Sequence, residues 1–425
     1  MPVTIVAGVQ WGDEGKGKIV DCLAAQMDVV IRGQGGPNAG HTIVNKHGTF
    51  ALHGVPSGIF YPNVLNIIGP GTVVDPIQLA AEIAALDTAG IDTSRLLISE
   101  RAHLIMPYHR LLDSLDDCRR PSNLTVGSTG CGVGFAYSDK AARIGIRAGD
   151  FRDRTRLRSL IDVALDRNNA LLKAQFGHPG LTAGEILSAV EPALSTLASR
   201  IVDTSAAVEL ALADGRRILL EGQLGVMRDL DWGAYPFVTS SCPTPAGLAA
   251  GAGIPPQRVT RSIGVMKAYT TSVGDGPLPT ELDAHESERL RSMGGEFGAT
   301  TGRPRRCGWL DLVAARWACA VAGFTEVALT KLDILDTLAE IPVCTGYTRN
   351  GSPISASAAS FDWIDVDPIY EKMPGWLTST TGARHVGDLP VNARAYVDFC
   401  AHAVGRPIAM IGVGRQREAI VTSER

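Results

Sequence analysis

The chain contains 425 residues, of which 45% are hydrophobic, and its 40 Lys and Arg residues against 44 Asp and Glu residues give a net charge of -4. This length allows one large α/β domain or two smaller ones, and the near balance of charge argues against a nucleic-acid-binding protein. We find no apolar run long enough to span a bilayer, no export signal and no paired cysteine motif. We therefore expect a cytoplasmic enzyme whose eight cysteines are reduced thiols.

Short apolar runs bounded by Gly, Pro or Asp recur along the chain. They cover residues 3–9, 29–31, 65–68, 96–98, 218–220, 327–329 and 408–411, with helical patterns between several of them, such as 76–86 and 310–322. This alternation predicts an α/β fold with a large, mainly parallel sheet flanked by helices. Residues 151–213 have an almost entirely helical pattern, which predicts a helical excursion packed on the sheet. Without a linker or repeat, we predict a single domain over residues 1–425.

A glycine-rich turn follows the first apolar run and precedes a helical segment. The spacing from Gly12 to Lys18 fits the G-x-x-x-x-G-K pattern of a phosphate-binding loop, but Ile19 replaces the Ser or Thr that holds Mg²⁺ in such loops. A carboxylate, Asp13, lies inside the turn instead. We therefore predict that this loop holds a metal, or performs chemistry, through Asp13.

A second glycine-rich segment, residues 32–42, follows the second predicted strand. The carboxyl ends of parallel strands meet at one edge of a sheet, so this segment is expected to face the first loop. His41 can then act as a general acid, or as an electrostatic partner, for a group whose proton Asp13 removes. For one isolated loop a surface histidine between turns would be the ordinary interpretation, whereas two loops at successive strand ends favour a site.

Residues 298–306 place three arginines, Arg303, Arg305 and Arg306, in a loop bounded by Gly and Pro. Planar guanidinium groups suit carboxylates and phosphates, which indicates a small dianionic substrate. A solvated charge run is the alternative interpretation. Residues 126–134 offer further backbone donors, with Arg143 downstream, and are weak evidence by themselves.

The segment Thr330–Asp333 follows the predicted strand 327–329. The carboxylate of Asp333 can accept hydrogen bonds from N1–H and the 2-amino group of guanine, for which adenine offers no matching donors, and the stem of Lys331 can cover the base. A Lys-x-Asp pattern is common by chance. Together with a phosphate loop, it indicates GTP rather than ATP.

Over nearly its whole length, the sequence resembles adenylosuccinate synthetases. The motifs that carry the resemblance are QWGDEGKGK from Gln10, GPNAGHT ending at Thr42, STG ending at Gly130, AYPFVTSS ending at Ser241, KAYTTSVGDGP ending at Pro277, FGATTGRPRR ending at Arg306, and TKLD ending at Asp333. The resemblance implies GTP-dependent ligation of L-aspartate to IMP through a 6-phosphoryl-IMP intermediate, giving adenylosuccinate, GDP and phosphate. It also implies Mg²⁺, a cytoplasmic homodimer, and no nucleic-acid or membrane partner.

The same resemblance implies a role for individual residues. Asp13 would take the N1 proton of IMP, His41 would stabilise charge on the transferred group, and Asp13 and the carbonyl of Gly40 would hold Mg²⁺. The implied GTP-binding residues are Gly12, Asp13, Glu14, Gly15, Lys16, Gly17, Lys18, Gly40, His41, Thr42, Arg305, Lys331, Leu332, Asp333, Gly412, Val413 and Gly414. The implied IMP-binding residues are Asp13, Glu14, Gly15, Lys16, Asn38, Ala39, Gly40, His41, Thr129, Arg143 (from the partner subunit), Thr239 and Arg303. The implied aspartate-binding residues are Ala299, Thr300, Thr301, Gly302, Arg303, Pro304 and Arg305.

Several positions depart from the family pattern near the IMP and aspartate sites. Leu224 stands where the family has a purine-contacting Gln, with Gln223 as a candidate replacement, while Cys131 and Ser272 replace arginines and Trp232 replaces a histidine. These departures leave open a paralogous ligase for a modified purine nucleotide or a different amino acid. A GTPase or GTP-binding regulator without ligation is a further alternative, against which the intact Asp13, His41 and the arginine loop argue.

Overall fold

A ten-stranded sheet forms the centre of the computed structural model, which describes residues 3–119, 121, 125–298, 302–355 and 363–422. The strands are β1 Val3–Gly8, β2 Val29–Arg32, β3 His41–Asn45, β4 Gly48–Leu52, β5 Leu65–Ile68, β6 Val73–Val74, β7 Leu96–Ser99, β8 His103–Leu104, β9 Ile201–Val202, β10 Ile218–Gly225, β11 Val259–Lys267, β12 Thr270–Ser272, β13 Arg306–Gly308, β14 Leu310–Asp311, β15 Glu326–Thr330, β16 Glu340–Arg349, β17 Ser352–Ile354, β18 Asp367–Pro374, β19 Ile408–Gly412 and β20 Ile420–Thr422. The helices are α1 Lys16–Ala24, α2 Pro76–Thr88, α3 Pro107–Arg119, α4 Val133–Ala142, α5 Arg154–Phe176, α6 Ala183–Leu197, α7 Thr204–Ala213, α8 Pro245–Ala252, α9 Ala284–Gly294, α10 Leu312–Ala322 and α11 Val391–Val404. None of the helices in the described residues has the length and hydropathy that a membrane span requires.

The strands of the large sheet follow the order β20-β19-β15-β11-β1-β10-β2-β5-β7-β9. All neighbours are parallel except β19 and β20, and Ile5 of β1 lies opposite Leu220 of β10 and Ser262 of β11. Every residue of β1 is buried, as expected for a parallel strand covered on both faces. The loops that follow β1, β2, β10, β11 and β15 therefore converge on one edge of the sheet.

The α/β fold predicted from the sequence is confirmed, and each predicted apolar run contributes a strand to the large sheet. The helix predicted over 310–322 begins instead at Leu312, because Leu310–Asp311 form β14 and Asp311 caps the helix by accepting from the N–H of Ala314 at 3.0 Å. Residues 151–213 contain α5, α6 and α7, and they add the short strand β9, which pairs with β7. The single-domain boundary remains a prediction.

Two parts of the fold were not apparent in the sequence pattern. Strand β11 lies beside β1 in the centre of the sheet, although Arg261, Ser262 and Gly264 interrupt its apolar run. A second sheet, formed by β14, β16, β17 and β18, is mostly antiparallel, and its strand β16 packs against α10. Both features depend on pairing partners that are distant in the chain.

Candidate active site

A cavity of about 910 Å³ opens where the loops converge, which is large enough for more than one small substrate. Its walls come from the first glycine-rich turn, the segment 38–42, the segment 126–134, the segment 223–240, the turn after α9, and the ends of β15 and β19. The two glycine-rich loops thus face each other across one space, as their positions after β1 and β2 predict.

The first loop is organised around the buried carboxylate of Glu14. Its Oε1 accepts from the backbone N–H of Gln10 at 3.1 Å and of Gly12 at 2.9 Å, and its Oε2 pairs with the ammonium group of Lys16. Gly15, with φ of 86°, is the residue before α1, whose N-terminus lines the cavity. Contacts within the protein therefore hold the shape of the loop, and its helix N-terminus is suited to phosphate.

Asp13 is the acidic residue of this loop that reaches the cavity. Its backbone is left-handed, with φ of 59°, and its side chain is 27% exposed. Arg305 donates from Nη2 to Oδ1 of Asp13 at 2.9 Å and from Nη1 to Glu296 at 2.6 Å. A guanidinium from the arginine loop thus fixes the carboxylate that the sequence singles out.

His41 lies in the cavity wall and is oriented by a buried carboxylate. Its Nδ1 is 2.5 Å from Oε1 of Glu221, which also accepts from the hydroxyl of Ser57 at 2.6 Å. Burial opposes the charge on Glu221, but the hydrogen bonds from His41 and Ser57 hold the pKa of Glu221 below its usual value. Burial also lowers the pKa of His41, which favours a neutral ring whose Nδ1–H faces Glu221 and whose Nε2 is available to the cavity.

The side chain of Gln223 is hydrogen-bonded to the second glycine-rich loop through both its oxygen and its nitrogen. Its Oε1 accepts from the N–H of Gly36 at 2.8 Å and from Arg32 at 3.1 Å, and its Nε2 donates to Oδ1 of Asn38 at 2.5 Å. Gln223 therefore holds Asn38 in the cavity wall. Leu224, in the left-handed region with φ of 60°, presents an apolar side chain to the cavity at the position where the family pattern has Gln.

At the end of the cavity that follows β15, a carboxylate oxygen of Asp333 accepts no hydrogen bond from the described residues. Oδ1 of Asp333 is buried and has no hydrogen-bond partner among the described residues, and burial raises the pKa of this carboxyl. Lys331 donates to the carbonyl of Gly294 at 2.6 Å and to Glu296 at 3.1 Å. Leaving a buried acceptor unsatisfied costs about 1–3 kcal/mol, which a ligand donor at Asp333 would recover.

Lys18 connects α1 to the turn after β19. Its Nζ donates to the carbonyls of Gly414 at 2.8 Å and Ala419 at 2.7 Å, and burial lowers the pKa of Lys18 to about 8. The phosphate loop and the turn Gly412–Gly414 are thereby held at a fixed separation.

Arg228 lines the cavity although no sequence motif predicts it there. It lies 7% exposed in the wall and donates to the hydroxyl of Ser272 at 2.6 Å and to the carbonyl oxygens of Phe237 at 2.5 Å and Asp275 at 3.2 Å. Burial lowers the pKa of Arg228 to about 10. The guanidinium of Arg228 thus contacts Ser272, and position 272 is one at which the family pattern has an arginine.

The other two departures lie away from the cavity lining in the described structure. Cys131 is buried against Val73, Ile105 and Val133, and its thiol points to the carbonyl of Thr129. Trp232 is 50% exposed, and its backbone N–H donates to Asp229 at 3.0 Å.

Most of the residues implied by the resemblance meet in the cavity. Those that line it are Asp13, Gly15, Lys16, Gly17, Lys18, Asn38, Ala39, Gly40, His41, Thr42, Thr129, Thr239, Arg303, Arg305, Lys331, Asp333 and Gly414. Within the described residues, those outside its lining are Gly12, Glu14, Arg143, Gly302, Pro304, Leu332, Gly412 and Val413. Ala299, Thr300 and Thr301 fall outside the residues that the structure describes.

Comparisons over the whole chain agree with this geometry. The family model described as adenylosuccinate synthetase matches residues 5–421. The chain is 45% identical to an adenylosuccinate synthetase of Pelotomaculum thermopropionicum over 426 residues, covering 100% of both proteins. It is 47% identical to that of Moorella thermoacetica over 425 residues, covering 100% of this chain and 99% of the relative. The structure of a fully ligated adenylosuccinate synthetase from Plasmodium falciparum superposes with a TM-score of 0.93 at 33% identity, covering 100% of both chains.

Proposed function

The chain belongs to the adenylosuccinate synthetase family, and we propose that it performs the family's reaction through the side chains gathered around the cavity. It is a ligase that uses GTP to form a C–N bond between IMP and L-aspartate, giving adenylosuccinate in purine nucleotide biosynthesis. The proposal concerns the route: O6 of IMP is phosphorylated first, and the amine of aspartate then displaces phosphate from C6. The observation that carries it is the Asp13 carboxylate, fixed by Arg305 between the phosphate loop and the cavity.

Asp13 acts as the base in the first step. Arg305 engages its Oδ1, which leaves Oδ2 for the proton on N1 of IMP. Loss of that proton places negative charge on O6, which then attacks the γ-phosphate of GTP and releases GDP. Asp13 is thus oriented by a group that also belongs to the arginine loop.

His41 and the phosphate loop stabilise the transferred group. Because Glu221 fixes Nδ1 of His41, the other ring nitrogen is directed by the protein rather than by solvent. An incoming phosphoryl group favours protonation of His41 and gives Nε2 a proton to donate. Lys16 and the N-terminus of α1 add positive charge where the loose transition state of phosphoryl transfer is most negative.

In the second step, phosphate is a better leaving group than the original oxygen of IMP. Arg303 lines the cavity and donates to the carbonyl of Gly127 at 2.9 Å, so the arginine loop is connected to the segment 126–134. Guanidinium groups at Arg303 and Arg305 suit the carboxylates of aspartate. Asn38, Thr129 and Thr239, which also line the cavity, supply polar contacts to IMP.

The guanine of GTP lies at the end of the cavity formed by Lys331 and Asp333. The unsatisfied oxygen of Asp333 supports this assignment, since N1–H and the 2-amino group of guanine are donors that adenine cannot match.

The donor atoms near the phosphate loop fit Mg²⁺. Asp13 and Gly40 both line the cavity and offer a carboxylate and a backbone oxygen, the hard ligands that Mg²⁺ prefers. The described residues contain no cluster of His, Cys, Asp and Glu that could enclose a metal by itself, and Mg²⁺ is commonly held by one or two protein oxygens together with substrate phosphates. When bound, the ion neutralises phosphate charge.

Arg143 completes the IMP site of a partner subunit in a cytoplasmic homodimer. It ends α4 in the left-handed region, with φ of 65°, and is exposed outside the lining of its own cavity. An exposed guanidinium near the cavity of a second copy suits the phosphate of IMP.

Oxygen tracing tests the route directly. With IMP labelled with ¹⁸O at O6, GTP and aspartate, we expect the label to appear in released phosphate. Release of unlabelled phosphate during adenylosuccinate formation would contradict phosphorylation at O6. Phosphate release that requires neither IMP nor aspartate would favour a simple GTPase.

Substitution of Asp13 tests the base. D13N is expected to abolish ligation while GTP still binds, because an amide cannot accept the N1 proton. D214N is the matched control, since Asp214 is an exposed partner of Arg216. Retained turnover in D13N would remove Asp13 from this role.

A further inference from the structure

Glu296 is a buried carboxylate surrounded by cationic side chains. Its Oε1 accepts from Lys267 at 3.0 Å and from Lys331 at 3.1 Å, and it also accepts from the hydroxyl of Tyr269. Its Oε2 accepts from Nη1 of Arg305 at 2.6 Å. Glu296 is 0% exposed and lies behind the cavity wall, so it acts through the residues that it holds.

Two of these cations serve opposite ends of the proposed site. Arg305 donates from its other terminal nitrogen to Asp13 at 2.9 Å, beside the phosphate loop. Lys331 stands at the guanine end, two residues before Asp333. The two oxygens of a carboxylate keep a fixed separation, so a displacement of the Glu296 carboxylate displaces the partners of both oxygens, and Glu296 therefore connects the two ends.

The backbone of Glu296 also forms the base of the arginine loop. Its carbonyl accepts from the N–H of Arg305 at 3.0 Å, and the N–H of Gly298 donates to the carbonyl of Arg303 at 2.8 Å. Phe297 and Pro304, which lie between these two hydrogen-bonded pairs, form an isolated antiparallel β-bridge. The loop that carries Arg303 is thus anchored at the same residue.

The charge balance around Glu296 explains why it must stay ionised. Burial alone would raise the pKa of Glu296, but Lys267, Lys331 and Arg305 hold it well below its usual range. Lys267 is fully buried, and burial lowers its pKa to about 8. Because Lys267 does not line the cavity in the described structure, it acts mainly to balance charge.

We propose that Glu296 is a positioning residue that sets Arg305 and Lys331 together, and so couples occupation of the guanine pocket to the orientation of Asp13. The proposal rests on the function proposed above. It requires that a bound guanine nucleotide changes the affinity for IMP in the unsubstituted protein, and the absence of this change there would overturn it. It also requires that loss of the carboxylate weakens GTP use, lowers the rate and removes that change in IMP affinity. A purely structural role would change stability without removing the change in IMP affinity.

The test uses E296Q, E296D and the double variant E296Q/K267M. E296Q leaves the buried cations uncompensated and is expected to lower the thermal midpoint, whereas E296Q/K267M removes one of them and restores the midpoint in part. E296D keeps the charge but withdraws both oxygens by one methylene. The matched control is E281Q, because Glu281 pairs with the neighbouring Arg306 at a more exposed position.

For each folded variant we would measure the thermal midpoint, kcat, the KM for each substrate, and the Kd of IMP with and without a non-hydrolysable GTP analogue. In E296Q/K267M and E296D we expect kcat/KM for GTP to fall about 10- to 100-fold, as for loss of a hydrogen bond between charged groups, with no effect of the analogue on IMP affinity. E281Q should match the unsubstituted protein. The proposal is overturned if either charge-balanced variant keeps the native dependence of IMP affinity on the analogue.

Failure of the proposed route would be seen separately. Oxygen tracing and D13N are carried out with Glu296 intact, so an unlabelled phosphate product refutes the route whatever the Glu296 variants show. Normal oxygen transfer with unchanged Glu296 variants refutes the positioning role alone.

Discussion

At the scale of single residues, the site contains charged groups that are paired with other protein side chains. Lys16 is paired with Glu14, Asp13 with Arg305, and His41 with Glu221. Asp333 differs, because one of its oxygens is buried without a partner among the described residues. A donor on an incoming ligand is therefore expected to recover the cost of leaving this oxygen of Asp333 unsatisfied.

Replacing Asp333 by Asn is expected to change nucleotide preference. The amide oxygen can still accept from N1–H, but the amide NH₂ group repels the 2-amino group of guanine and can donate to the C2 carbonyl of xanthine. We expect kcat/KM for GTP to fall at least about 10-fold and that for xanthosine triphosphate to rise, measured in parallel assays. An unchanged ratio between the two nucleotides would refute the guanine assignment, and D336N provides a nearby acidic control, since Asp336 bonds Trp376 and Thr380 instead.

The sequence could indicate residues that lie in short motifs but not the partners that orient them. Asp13 and His41 were predicted because each lies in a glycine-rich segment after an apolar run. Glu221 is separated from His41 by 180 positions, and Arg305 from Asp13 by 292 positions, so no local pattern predicts these contacts. The hydrogen bond between Gln223 and Asn38 likewise joins residues that are 185 positions apart, so the sequence does not predict it.

At the scale of elements, the second glycine-rich loop depends on close approach of backbone to backbone. A side chain on Gly251 of α8 would lie 1.8 Å from the carbonyl oxygen of Gly33, and one on Gly71 would lie 2.0 Å from the same atom. The N–H of Gly71 also donates to the carbonyl of Gly251 at 2.8 Å. These glycines allow α8 to pack against the start of the loop that carries His41.

Gly251→Ala is expected to destabilise the protein despite its position in a helix. Alanine favours a helix over glycine by about 1 kcal/mol, but overpacking against backbone atoms that cannot rotate away costs about 1–3 kcal/mol or more. Chemical denaturation should therefore show a lower free energy of unfolding. Gly184→Ala in α6 is the matched control and should be neutral or stabilising, because the nearest atom to its added side chain is 3.9 Å away. Equal effects of the two substitutions would contradict this interpretation.

Elements were predictable where apolar runs were short and clearly bounded. Strand β11 was missed because polar residues and a glycine occupy a strand that is buried by neighbours on both sides. The start of α10 was misplaced because Asp311 both ends β14 and caps the helix. Tertiary pairing determines the structure in both cases, and local propensity does not reveal it.

At the scale of the whole molecule, one sheet brings loops from distant parts of the chain to one edge. The proposed site needs a further residue, Arg143, from a second copy. This arrangement predicts that subunits with complementary defects can restore one another.

Mixing R143A with D13N after joint refolding is expected to recover activity. In a mixed dimer, one site combines the intact Asp13 of one subunit with the intact Arg143 of the other. Random pairing makes half of the dimers mixed, with one working site each, so recovery should reach about a quarter of the native specific activity. Mixing R143A with R143A/D13N is the control. Absence of recovery from dimers shown to be mixed by mass would refute a shared site.

Acid should destabilise the protein partly through His103 of β8. Burial, followed by the charges of Lys140 and Arg147, lowers the pKa of His103 to about 4 from 6.5. Between these values the unfolded chain binds a proton that the folded chain does not, so the free energy of unfolding falls as pH decreases from about 6.5 to 4. His103→Leu should flatten the pH dependence over this interval, whereas substitution of the exposed His47 by Gln should leave it unchanged. Equal slopes for both variants would contradict this assignment.

The contacts of Lys18 also have a consequence for synthesis of the protein. Its ammonium group is held by carbonyls of Gly414 and Ala419, which lie 396 and 401 positions later in the chain. The helix that follows the phosphate loop is therefore translated well before the residues that hold Lys18. We therefore expect nascent chains to lack a complete nucleotide site until Gly414 and Ala419 have been translated, and products truncated before these residues to compete little for GTP in the cell.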